Sequence, residues 1–277
     1  QSVSERTAIS IGEAGWVRTD ILGFDDEVKA VAVQPDGRII MAGYGMNSSY
    51  NYDFALVRYL ADGRLDPSFD EDGKVTNDLT GDKDQIRAIA LLPDGKIIAV
   101  GPAKNGSHLH DFTVARYNSN GSLDTSFGTG GWTLTDFYGA HDFAYAVAIQ
   151  SDGKIVVGGT ADIVVDQASL AMTRYTSGGN LDLTFGINGR VTIDFSEFDD
   201  FGYAVALQPD GKIILAGYAY IEASYDFVML RYLPNGSPDS SFGVNGQVTT
   251  DFLGGADKGL AIRLQVDGRI IMAGSAD

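Results

Sequence analysis

Five aspartates, Asp26, Asp84, Asp142, Asp200 and Asp257, each stand just before a short Ala/Val-rich segment, while the residues beside them vary. Brought to one mouth of a closed ring, carboxylates within about 10 Å of one another would repel strongly unless hydrogen-bonded, screened or bridged by a cation. Ca²⁺ takes about 6–8 oxygen ligands, which such a ring and its waters could supply in part. One reading is therefore Ca²⁺ or another divalent cation at the channel mouth. In the other, each carboxylate accepts main-chain N–H bonds in its own loop and fixes the entry to the strand, a common use of aspartate at turns. Periodicity does not separate them, because folding needs would repeat as faithfully as a site would.

His108 and His110 precede Asp111, and His141 lies in the following connection. Alternate residues of a strand point the same way, so the two nearer histidines could converge on a divalent metal, or simply be solvated. Tyr44, Tyr50, Tyr52, Tyr138, Tyr218, Tyr220 and Tyr225 fall in the same kind of variable segment. Tyrosine with Asn and Ser is what adaptable binding surfaces use. Enzyme signatures are missing: there is no G-x-S-x-G elbow, no H-E-x-x-H, no phosphate-binding loop and no cysteine. No catalytic residue is assigned.

These residues are carried by a repeat. Asp36, Asp94, Asp152, Asp210 and Asp267, each followed by glycine, are spaced 58, 58, 58 and 57 residues apart. Arg58-Tyr59, Arg116-Tyr117, Arg174-Tyr175 and Arg231-Tyr232 keep the same step, as do the turn acids Asp66, Asp124, Asp182 and Asp239. Each unit reads as four short strands with an Asp-Gly hairpin between the first two. No segment carries a 3.6-residue period. Four-stranded units repeated at this length predict an all-β, five-bladed β-propeller with antiparallel blades. Each Arg is expected to bridge to its turn acid, since an aspartate five residues earlier, such as Asp53 before Arg58, falls on the opposite strand face.

One domain covers 1–277, with blades at about 23–80, 81–138, 139–196, 197–253, and 254–277 completed by 1–22. The N-terminal strands are expected to seal the ring by removing open sheet edges. Residues 1–10, however, match the Arg-Tyr strand poorly. The Ala-rich strands suit the crowded centre; the reverse order would put the 74–79 strand innermost. The loops between second and third strands share a face with the five aspartates.

The segments DFTVARYNSNGSLDTSFGTGG (111–131) and AYAVAIQSDGKIVVGG (144–159) resemble the bacterial delta-60 repeat, a β-propeller module of unknown function, and more distantly NHL-type blades. The resemblance implies a secreted or cell-surface setting and attaches no activity. With 37 acidic residues against 20 basic ones, the chain should repel nucleic acid. No apolar run is long enough to span a membrane, and the first residues show no apolar signal core, so the chain reads as cytoplasmic or already processed. A monomer is expected. The expected function is a binding or interaction scaffold for a protein or glycan, using the variable loops around the channel. The alternative is a carbohydrate-active hydrolase or lyase at the same mouth.

Overall fold

The structure, a computed structural model, describes residues 15–104, 106, 109–164, 167–252 and 254–277. Its strands are β1 (Asp26–Val33), β2 (Ile39–Met46), β3 (Tyr52–Tyr59), β4 (Lys74–Asn77), β5 (Ala88–Leu91), β6 (Ile97–Lys104), β7 (His110–Tyr117), β8 (Trp132–Thr135) and β9 (Asp142–Ile149). They continue as β10 (Ile155–Val164), β11 (Gln167–Tyr175), β12 (Arg190–Ile193), β13 (Phe201–Leu207), β14 (Ile213–Ile221), β15 (Ser224–Tyr232), β16 (Gln247–Thr250), β17 (Lys258–Leu264) and β18 (Ile270–Ser275). No α-helix occurs among the described residues.

Neighbouring strands pair in chain order, giving four antiparallel four-stranded sheets and a last sheet of two strands, β17-β18. The Asp-Gly hairpins close the first pair of each sheet because glycine there takes a left-handed backbone, with φ of 85° at Gly37 and 81° at Gly153.

Both faces of an inner sheet are apolar, so each must be covered by a neighbour. Ile40, Phe54 and Leu56 pack against Ile97, Ala99 and Tyr117 of the next sheet. Val100, Phe112 and Val114 pack against Ile155, Val157 and Tyr175, and Leu170, Met172 and Phe185 against Leu215, Val228 and Tyr232. The first strands touch in succession, β1 with β5, β5 with β9, β9 with β13 and β13 with β17, so the Ala-rich strands lie at the centre of the array.

The predicted Arg bridges are present, each at 2.7–2.9 Å from Nε to carboxylate: Arg58–Asp66, Arg116–Asp124, Arg174–Asp182 and Arg231–Asp239. The first three arginines also donate Nη1 to a carbonyl of the following blade, at Ser119, Ser177 and Pro234. One side chain thus ties its own turn to its neighbour.

Closure of the ring is where the described residues stop short of expectation. Residues 1–14 lie outside them, and 15–25 form no strand. Thr19 still accepts the Tyr59 hydroxyl at 2.7 Å, as Thr135 of β8 accepts that of Tyr175 at 2.7 Å. The segment therefore sits beside the first blade where a fourth strand would, but a ladder needs a partner strand and none is described there. Val28, Val31 and Val33 of β1, with Leu260 and Ile271 of the last sheet, remain exposed.

Candidate functional site

The aspartates before the first strands are anchored within their own connections. The amide five residues earlier donates to Oδ2 in all five: Ile21 to Asp26, Leu79 to Asp84, Phe137 to Asp142, Phe195 to Asp200 and Phe252 to Asp257, at 2.6–2.9 Å. Asp84, Asp142, Asp200 and Asp257 are fully buried. Burial disfavours the charged form. It pushes the carboxyls of Asp84 and Asp200 up to about 6. Asp142, which also faces Asp111, Asp136 and Asp162, is pushed up to about 8.

Three residues beyond each aspartate the central strand departs from regular pairing. Val28 pairs with Gly43 and Ala30 with Ala42, leaving Lys29 out of register. Tyr145, Tyr203 and Leu260 are left out in the same way. Arg87 holds the same repeat position in the second blade. A bulge of this kind re-aims one side chain out of the pleat. The central strands therefore present Lys29, Arg87, Tyr145, Tyr203 and Leu260, one per blade.

These side chains meet across blades. The Tyr145 and Tyr203 rings are 4.8 Å apart, and Tyr203 stacks on Tyr218 at 5.6 Å. Phe143 lies 6.4 Å from Tyr145, and Phe201 5.0 Å from Tyr218. Burial pushes the Tyr145 hydroxyl up to about 12, against the pull of the Arg87 charge. Arg87 donates Nη2 to Gln85 at 2.6 Å, whereas its buried Nε has no hydrogen-bond partner. Lys258 stands over the Tyr218 ring at 5.9 Å. In blade one the Glu27 carboxylate takes hydrogen bonds from Lys29 and Tyr44.

Several residues singled out by sequence join this surface. His110 and His141 approach to 3.3 Å between Nδ1 atoms, and His110 lies 5.0 Å from Phe143. Burial, helped by His141, depresses His110 to about 4, so it is neutral near neutral pH. Tyr225 stands edge-on to Tyr218 at 5.3 Å and to Tyr220 at 5.4 Å. With Phe143, Phe201 and the two bulge tyrosines, these rings run unbroken from blade two to blade four. Tyr44 and Tyr52 form a separate pair at 4.8 Å. Tyr50 is exposed beside Phe24. Tyr138 bonds Thr192 on the rim, beside a groove of about 480 Å³ that Ile187 and Arg190 also line. His108 lies outside the described residues.

Among the described residues two acidic groups could hold a metal ion, Asp111–Asp136–Asp142 and Asp226–Asp251–Asp257. Each contains one of the five aspartates read from the sequence, joined by acids from the preceding blade.

The bulge positions themselves escaped sequence reasoning. The available signal was a place three residues after each aspartate that holds Lys, Arg, Tyr, Tyr or Leu inside an otherwise small-residue strand.

Stacked antiparallel four-stranded sheets of this kind, with their first strands together at the centre, define a β-propeller. The chain belongs to the family described as the domain of unknown function (DUF5122) β-propeller, whose model matches residues 34–69, 92–127, 150–185 and 208–242, more than half of the chain. A search of curated proteins returns no match. Among solved structures, a protein of unknown function from Bacteroides caccae is 14% identical with a TM-score of 0.51, over 89% of this chain and 70% of that one. A putative oxidoreductase (glucose dehydrogenase) from Thermus thermophilus is 12% identical with a TM-score of 0.53, over 94% and 82%. A further glucose dehydrogenase is 11% identical with a TM-score of 0.52, over 92% and 83%. At these identities the likeness is one of fold.

Proposed function

We propose that the protein is a glycan-binding scaffold whose ligand lies over the bulge side chains at the centre of the propeller. The observation that carries this is the contact of Tyr145 and Tyr203, 4.8 Å apart on adjacent blades, beside the charge of Arg87. Tyrosine offers a broad apolar ring with a polar tip and few rotatable bonds, so it covers a sugar face at small entropic cost. Arg87 and Lys258 would supply donors to hydroxyl or carboxylate oxygens. A glycan ligand also suits a secreted or surface setting.

The competing reading is a carbohydrate-active hydrolase or lyase, and what favours it is Asp142, raised to about 8. A general acid must come within about 2.6–3.2 Å of the leaving oxygen, directly or through one water. Asp142 is fully buried and already holds the Phe137 amide. Binding is therefore preferred to turnover.

Calorimetry against neutral and uronic-acid oligosaccharides tests the reading. Saturable binding of at least one oligosaccharide is expected, weakened tenfold or more by Tyr145→Ala with Tyr203→Ala (about 1.4 kcal/mol), without product formation. Absence of binding across the panel, or binding unchanged in the double variant, would overturn it; released reducing ends would favour the hydrolase.

A further inference from the structure

Four joints between consecutive blades repeat one arrangement and settle its charge in two ways. At each, an acid at the end of the fourth strand (Asp78, Asp136, Asp194 or Asp251) lies near the buried aspartate of the next blade (Asp84, Asp142, Asp200 or Asp257). The third strand adds Asp53, Asp111 or Asp226, or in one joint Ser169.

In two joints the second oxygen of the buried aspartate is occupied by protein. The Thr80 hydroxyl donates to Asp84 Oδ1 at 2.7 Å, and Asn47 holds Asp53 through both oxygens at 3.0 and 3.1 Å. At the Asp200 joint the Tyr220 amide donates to Oδ1 at 3.1 Å; Ser169 replaces the third-strand acid, while Asp199 lies beside Asp200. In the other two joints Asp142 Oδ1 and Asp257 Oδ1 have no hydrogen-bond partner among the described residues, although both residues are fully buried. The position of Thr80 is taken by Tyr138, which bonds Thr192 instead, and by Leu253, which has no hydroxyl.

A buried carboxylate oxygen without a donor is costly, the more so among like charges. Asp26 Oδ1 is likewise without a partner and has no such group around it among the described residues, but Asp142 and Asp257 each sit in a joint whose three carboxylates offer ligand atoms within 4.8 Å of one another. That spacing is within what two oxygens on one Ca²⁺ at about 2.4 Å each can span, and Mg²⁺, which demands a near-ideal octahedron and keeps its waters, is suited less well by a fixed, partly buried set of three carboxylates. The donors are all oxygen, which excludes a preference for soft metals. Asp136 and Asp251 are exposed, so each group opens to solvent, where water can complete the coordination.

We propose that Asp111, Asp136 and Asp142, and likewise Asp226, Asp251 and Asp257, each bind a calcium ion that staples two adjacent blades. These sites differ from a single ion shared by five aspartates, and they stand whether or not a sugar binds.

The test is calorimetry of the chain, treated with EDTA and then dialysed, against CaCl₂, with MgCl₂ in parallel and unfolding midpoints recorded. Two Ca²⁺ ions per chain and a raised midpoint are expected, with weaker binding of Mg²⁺. Asp136→Asn and Asp251→Asn alter exposed residues; each should remove one ion and together both. Asp78→Asn, at the counterpart position of a satisfied joint, should leave the stoichiometry at two. No Ca²⁺-dependent heat or midpoint shift at about 100 times a millimolar-range Kd overturns the proposal. So does Ca²⁺ binding that survives the double variant, which would be adsorption to the acidic surface. Should a variant fail to fold, the midpoint of the unaltered chain with and without Ca²⁺ decides the matter.

Discussion

Replacing Asp84 by asparagine should stabilise the protein near neutral pH, though it removes a buried, fully hydrogen-bonded carboxylate. Burial raises this carboxyl from 3.8 to about 6. At about 1.36 kcal/mol per pKa unit, the folded state prefers the neutral form by roughly 3 kcal/mol. Between about pH 4 and pH 6 the folded chain holds a proton that the unfolded chain has released, so stability falls as pH rises through that window. Below it both states are protonated; above it the whole loss is in place. Asparagine has no proton to lose. Its carbonyl oxygen can take the Leu79 and Thr80 amides, which reach Asp84 Oδ2 at 2.7 and 3.2 Å, and its NH₂ can donate to the Thr80 hydroxyl, which rotates to accept. Asp200 is the control, also raised to about 6. Its two oxygens take the Phe195 and Tyr220 amides, so one N–H must face the NH₂ of asparagine and lose its acceptor, at about 1–3 kcal/mol. Urea denaturation should show both variants gaining about 2 kcal/mol on the native chain between pH 4.5 and 7.5, with Asp200→Asn lying below Asp84→Asn by about 1–3 kcal/mol at either pH. Loss of stability in Asp84→Asn at pH 7.5, or equal stability of the two variants, would refute the reasoning.

Arg174→Lys should destabilise the protein by about 2–4 kcal/mol, read from urea melts. Lysine cannot at once hold Asp182, reach Pro234 of the next blade and lie over Phe185, whose ring is 4.6 Å from the guanidinium. Asp182 itself titrates the other way from Asp84: burial would raise it, but hydrogen bonds from Thr184 and the charge of Arg174 outweigh that and hold it at about 2. Its contribution is full above about pH 4 and is lost as pH falls toward 2; Asp182→Asn should remove that acid-side slope in melts between pH 2 and 5. Gly159→Ala places a Cβ 2.0 Å from the Phe143 carbonyl oxygen, forcing the central strand away. It should cost about 1–3 kcal/mol by thermal unfolding and weaken oligosaccharide binding by displacing Tyr145.

The repeat made the blades legible because each strand's alternation and each Asp-Gly turn act over a few residues, and three markers in register exclude coincidence. The Arg bridges were legible for the same reason: period two puts Asp53 and Arg58 on opposite faces, leaving the turn acid as partner. The bulge was not legible, since one unpaired residue changes where a side chain points without changing the sequence pattern. The alternation of Ala144, Ala146 and Ala148 with larger residues makes Tyr145 one more strand position in the sequence and does not mark it as a side chain turned toward Tyr203. The acidic joints failed differently. Asp142 and Asp257 were visible, but whether their oxygens are satisfied depends on a neighbour four residues earlier and an acid from another strand. Thr80 against Tyr138 is a single-residue difference, yet it decides whether Oδ1 has a donor. Repetition therefore reports the scaffold, and departures from it report chemistry. The four joints share one backbone plan, so a difference in ion binding among them can come only from those few substituted side chains. That same economy makes the Asp78→Asn control informative, because it alters the same position in a joint whose oxygens the protein has already satisfied.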